Sequence, residues 1–213
     1  SLFYKISLSR CYIIVSFLLV YFYLFFGKFG FLDLTNEFYR VLAFCLILYL
    51  VIKKKFVSEN LKQIFFLFII YLILIFICKD LYIYKYDDFS EYGITTKLIF
   101  FENNLPSNIE YLQKGSPHKI NFISYFHYFF LKNSNQGFFE GNIFIAHSFL
   151  IILLINIILD YLKITTLNKI TVGIIIYFVI YSLGPGFDRL YADSILGLSI
   201  ALSLLIYFNK KTN

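Results

Sequence analysis

Two adjacent carboxylates, Asp87 and Asp88, stand in the stretch "YDDFSEYG" (Tyr86 to Gly93), and Glu91 follows three residues later. Neighbouring carboxylates repel, which lifts one pKa toward the range where it can take a proton at neutral pH. The pair suits a general base or a metal-binding pair. The same pair is equally what ends a helix and faces water. A second acidic position, Asp193, lies in "GPGFDRLYADSILGL" (Gly184 to Leu198) and directly precedes an apolar run. It reads either as a substrate contact or as an N-terminal carboxylate favoured by the helix dipole. Positive charge near these acids comes from Lys97, Lys114, Lys119, His118 and Arg189. Such residues can hold a phosphate or touch anionic lipid head groups. The spacing of His118 and His127 fits no zinc signature, and His127 and His147 read as packed or interfacial. No glycine-rich phosphate loop and no nucleophile elbow occur.

The elements that must position these residues are greasy. The chain is 60% hydrophobic and 15% charged, with a mean hydropathy of +0.75. Soluble domains are nearer half apolar and a quarter charged. The apolar runs are continuous and do not alternate with period two, so the expected class is all-α, a polytopic helical membrane protein. Cys11, Cys45 and Cys78 lie in or beside apolar runs and match no metal motif, so they read as small buried hydrophobes. The net charge of +6 accompanies no nucleic-acid module, and that partner is set aside. The chain has no Met, starts at Ser1 and ends in "NKKTN" just after an apolar segment. It is expected to be a fragment of a longer chain, residues 1–213 forming a single membrane domain.

Spans are expected at 11–27, 38–52, 61–79, 142–160, 169–184 and 190–208. Lys and Arg in short loops mark the cytoplasmic side. Lys5 and Arg10, Lys53 to Lys55 with Lys62, Lys163 with Lys169, and Lys210 with Lys211 then all lie inside. This parity requires six crossings, both ends cytoplasmic, and a large external loop over 80–141. Residues 119–132 do not cross; they are expected to lie along the outer surface as an aromatic-rich amphipathic element. Asp87, Asp88, Glu91, Glu140, Asp188 and Asp193 fall on one face, although only basic residues entered the argument.

The residues from Tyr86 onward resemble the first large external loop of bacterial membrane glycosyltransferases of the GT-C class. The resemblance rests on Tyr86, Asp87, Asp88, Phe89, Ser90, Tyr92 and Gly93, then Lys97, Leu105–Pro106, Pro117 and Tyr128 to Phe130. "EGNIFIAHSFLII" from Glu140 resembles the next helix of that group, and "LYADSILGL" a later Tyr–x–Asp boundary. The match covers about 80–160 and 188–198. Departures are Tyr86 and Tyr92 where Trp is usual, Glu91 where His is common, and Ser116–Pro117 in place of paired prolines. The resemblance implies transfer of a sugar from a polyprenyl-phosphate donor on the outer face of the cell membrane. It implies Asp87 as base with Asp88 beside it, Lys97 and Arg189 near the leaving phosphate, and Asp193 as a substrate or metal contact. It leaves a divalent cation open. His118 joins the cationic residues that can touch substrate. Two other classes remain: an O-antigen-type polysaccharide polymerase, against which the scarcity of Arg counts, and a non-enzymatic transporter-like protein, against which the almost clean spans count.

Overall fold

The computed structural model describes residues 8–52, 58–83, 93–105, 122–134, 137–162, 172–175, 190 and 192–211. Its regular structure is all helical, with no strand among the described residues. The helices are α1 (Leu8–Gly27), α2 (Leu32–Ile52), α3 (Ser58–Cys78), α4 (Ile94–Glu102), α5 (Phe122–Asn133), α6 (Glu140–Tyr161) and α7 (Ala192–Lys211). Residues 172–175 form one further helical stretch.

Local chemistry sets several of the ends. At the end of α1, Gly30 has φ +75°. Its N–H reaches the Gly27 carbonyl at 3.0 Å, and the Phe31 N–H reaches the Phe26 carbonyl at 3.2 Å. This is the Schellman arrangement, which satisfies the last carbonyls of a helix through a left-handed residue best supplied by glycine. The chain can then turn back at once. For this reason α2 starts at Leu32, six residues earlier than its apolar run alone suggests. Asp33 lies in its first turn, where the helix dipole favours a carboxylate. α4 ends at Asn103 in the left-handed region (φ 50°, ψ 36°), with its N–H on the Ile99 carbonyl. Asn tolerates that conformation better than most residues.

α6 is the central element. It packs against α1, α3, α5 and α7, and its residues are buried almost throughout. One apolar cluster joins it to α1 and α5 through Val20, Tyr23, Tyr125, Leu153 and Leu154. A second joins its first turns to α3 through Leu74, Cys78, Ile143 and Phe144. α6 is the one helix among the described residues long and apolar enough to cross a membrane. Ile13–Gly27, Ile64–Cys78 and Ile195–Phe208 are apolar but shorter. Of the six expected crossings, one therefore meets the requirement by length and composition. The expected span at 169–184 lies mostly outside the described residues. The surrounding helices expose large apolar side chains, among them Phe17, Phe44, Phe65, Phe76 and Leu204.

α5 differs from expectation in its setting. It is a helix within the expected 119–132 region, yet Ile123 to Tyr128 and Leu131 are all buried. The reason is its neighbours: α1, α4 and α6 all pack on it. A helix enclosed on several sides has no free face to lay on a surface.

Candidate functional site

The acidic stretch has described residues on both flanks, and both flanks meet the start of α6. Phe139 precedes that helix in an extended conformation (φ −127°, ψ 114°), and Glu140 occupies the first turn. The Glu140 carboxylate accepts the Ile83 backbone N–H at 2.6 Å through Oε2. A charged acceptor makes this a strong bond. The chain reaches Ile83 by a turn closing α3, with the Leu81 N–H on the Cys78 carbonyl at 3.1 Å. That carbonyl lies so near Gly141 that a Cβ there would sit 2.6 Å from its oxygen. Glycine thus permits the end of α3 to meet the start of α6 backbone to backbone.

On the other flank, α4 carries Lys97. Its side chain is exposed and its ammonium stands 5.6 Å from the centroid of the Phe138 ring, a cation–π arrangement. Phe138 also meets Phe100 and Phe101, each at 5.5 Å between centroids. The corner just before α6 is therefore an aromatic platform with an ammonium over it. No carboxylate among the described residues is within ion-pair distance of Lys97.

A second cation, Lys132 of α5, lies against the same aromatic group. Its ammonium is 4.9 Å from the Phe100 centroid and 5.6 Å from that of Tyr128, and 3.0 Å from Asp33 Oδ1. The Tyr128 hydroxyl stands 3.1 Å from Asp33 Oδ1 and 3.2 Å from Asn103 Oδ1, so its one proton is shared between two acceptors. Burial, then the Asp33 charge, holds this phenol well above its ordinary pKa. Deeper along α2, Asn36 Oδ1 accepts from the Tyr23 hydroxyl at 2.9 Å and from Asn133 Nδ2 at 3.0 Å. Arg40 donates to Asn133 Oδ1 at 2.8 Å, to the Lys132 carbonyl at 2.6 Å and to Glu37 at 2.6 Å.

Of the catalytic and substrate-contact residues expected from sequence, Lys97 alone has a described side chain. Asp87, Asp88, His118 and Arg189 lie outside the described residues. Asp193 is the second residue of α7, and its side chain is likewise outside them. Among the described residues no group of three or more His, Cys, Asp or Glu is arranged to hold a metal ion. Sequence reasoning missed Asp33, Asn36, Glu37 and Arg40, which it left ahead of the apolar run of α2. Their signal was available: spacings of three, four and seven put all four on one helix face. Tyr128 and Lys132, four apart on α5, are the matching pair. Comparison with family models, with curated proteins and with solved structures finds no match to this chain.

Proposed function

We propose that this chain is part of a membrane glycosyltransferase of GT-C type. It moves a sugar from a polyprenyl-phosphate donor to an acceptor hydroxyl on the outer face of the cell membrane. In this reading the chain crosses six times with both ends cytoplasmic. The apolar side chains that α1, α2, α3 and α7 turn outward face lipid, since soluble monomers rarely leave such surfaces bare. Residues 80–141 face outward, where the reactive end of the donor lies.

The observation that carries the reading is the pairing of flanks at the start of α6. Ile83 is bonded to Glu140, and Lys97 stands over Phe138. Asp87 follows Ile83 by four residues, so chain geometry keeps its Cα within about 14 Å of that of Ile83. A carboxylate so tethered can take the proton of an attacking hydroxyl. Lys97 and, from the other end of the chain, Arg189 supply charge to the phosphate as it leaves. Asp88 tunes its neighbour by repulsion. Asp193 and His118 are substrate contacts in the same layer. A greasy groove between helices takes the lipid tail. The divalent-cation requirement is left to experiment.

The test is transfer of labelled sugar from polyprenyl-phosphate donors by the full-length protein in membranes. Asp87→Asn is expected to lower transfer by about 10²–10⁴-fold, the usual contribution of a general base, with protein abundance unchanged. Equal transfer by Asp87→Asn, Asp88→Asn and the unmodified protein would sink the proposal. No transfer with any donor would move the weight to the polymerase and transporter classes.

A further inference from the structure

We infer that Leu190 is a positioning residue, which fastens the stretch carrying Arg189 to the same corner from which the acidic stretch leaves. Its role in transfer rests on the glycosyltransferase reading; its placement rests on packing alone.

Leu190 lies two residues before α7 and outside any helix, yet none of it is exposed. Connecting segments ordinarily run over the surface, so a fully buried leucine in one is an anchor. It is buried in the second apolar cluster, with Leu74 and Cys78 of α3, Leu131 of α5, and Ile143 and Phe144 of α6. Cys78 ends α3, and Ile143 is the fourth residue of α6. This is the level at which Gly141 meets the Cys78 carbonyl and Glu140 holds Ile83. Ile83 and Phe138 pack on the same cluster. One apolar cluster therefore receives three segments far apart in sequence: the chain leading to the acidic stretch, the ring beneath the Lys97 ammonium, and Leu190.

Leucine has no group that reacts, so its contribution is to hold its neighbours. Arg189 is one peptide away, its Cα about 3.8 Å from that of Leu190. On the other side, Ile195 of α7 is buried in the first cluster, so Asp193 falls between two anchored residues. A guanidinium that stabilises a leaving phosphate must be in place before the bond breaks. A misplacement of about 1 Å costs on the order of 10²-fold in rate. Leu190 supplies that constraint from behind the charge, as Ile83 does for the acids.

The test is a double-mutant cycle in the full-length protein in membranes, read as donor kcat/KM for transfer of labelled sugar. Leu190→Ala is expected to lower it by about 10- to 100-fold, and Leu190→Met, which keeps the volume, to restore most of it. In an Arg189→Gln background the same Leu190→Ala should cost no more than about twofold, because the charge it positions is gone. Equal losses in both backgrounds would mean a purely structural leucine and would overturn the inference. Hydrogen exchange gives a reading that needs no activity. Leu190→Ala should speed exchange at the Leu81 and Ile83 amides by about tenfold relative to amides of α1, a local opening rather than a global one. Unchanged exchange at those two amides would overturn the placement. Normal transfer by Arg189→Gln would also defeat the inference, while a loss in Asp87→Asn alongside it would show that the glycosyltransferase reading survives.

Discussion

One helix, α5, presents two polar faces to two neighbours, and they are built on opposite principles. Toward α1 and α2 it offers Tyr128, Lys132 and Asn133. Each meets a partner: Asp33 and Asn103 for Tyr128, Asp33 for Lys132, Asn36 and Arg40 for Asn133. Toward α6 it offers His127, with both nitrogens bare. On the first face Tyr128, Tyr23 and Asn36 are buried while Asp33, Arg40 and Asn133 are exposed; on the second, His127 is fully buried. A completed polar network fixes one packing of its helices, because every alternative leaves donors stranded. An incomplete one contributes nothing of that kind, and its survival at a packed interface needs another cause. The first face therefore reads as architecture, and the second as polar atoms that packing alone holds in place.

The comparison predicts opposite responses to apolar substitution. Asn36 is buried and accepts from the buried Tyr23 hydroxyl. Asn36→Leu strands that hydroxyl, at a cost of about 3 kcal/mol, the upper end of the usual range for an orphaned buried group. Unfolding of the purified protein in detergent, followed by far-ultraviolet circular dichroism, reads it. Tyr23→Phe on top of Asn36→Leu removes the stranded donor and should recover part of the loss. Additive losses from the two changes would show that the network contributes no coupling.

On the α6 side, shape is expected to matter more than hydrogen bonding. A Cβ at Gly141 would meet the Cys78 backbone oxygen at 2.6 Å, which cannot swing aside as a side chain does. At Gly27 the same addition meets only the flexible end of Leu105 and Leu32. Gly141→Ala should cost about 2 kcal/mol, within the usual range for overpacking, and Gly27→Ala clearly less. It should also loosen the Glu140–Ile83 bond, seen as faster hydrogen exchange at the Ile83 amide. A tolerated Gly141→Ala would mean that the α3–α6 corner is not closed as described.

Much of this architecture was legible from residue pattern. Continuous apolar runs gave the helical class, and helices do lie at 8–27, 58–78, 140–161 and 192–211 within a residue or a few of the expected spans. The start of α2 was not legible from hydropathy, because Asp33, Glu37 and Arg40 interrupt the apolar pattern while the partners of Asp33 and Arg40 on α5 sit more than ninety positions away. The burial of α5 was missed for a related cause. Its sequence, FISYFHYFFLKN, suits a surface as well as a core, and the neighbours that decide the matter are distant in the chain. Of the candidate site, Lys97 was named from its place after the acidic stretch, and the structure sets its ammonium over the Phe138 ring. The Phe138 platform and the Glu140 tether needed three dimensions, since Glu140 and Ile83 are 57 positions apart.

The smallest effect at neutral pH is the most discriminating. His127→Leu replaces unsatisfied polar atoms by an apolar side chain of similar reach, so stability at pH 7.5 in metal-free buffer should change by less than about 1 kcal/mol. Asn36→Leu, the same kind of substitution on the other face, should not share this tolerance. The two diverge again with pH. The folded His127 has its pKa lowered by burial and by His147, whereas the unfolded imidazole titrates near about 6.5. Above that value neither state binds the proton, and stability does not depend on it. Below it the unfolded chain takes up a proton that the folded chain refuses. Stability then falls by up to about 1.4 kcal/mol per pH unit. Carboxylates ordinarily titrate well below this range, so a series from pH 7.5 to 5.5 isolates the imidazoles. The unmodified protein should lose stability across that window, and His127→Leu should lose less. Parallel slopes would mean that His127 already has access to a proton in the folded state, and the contrast between the two faces of α5 would go with it.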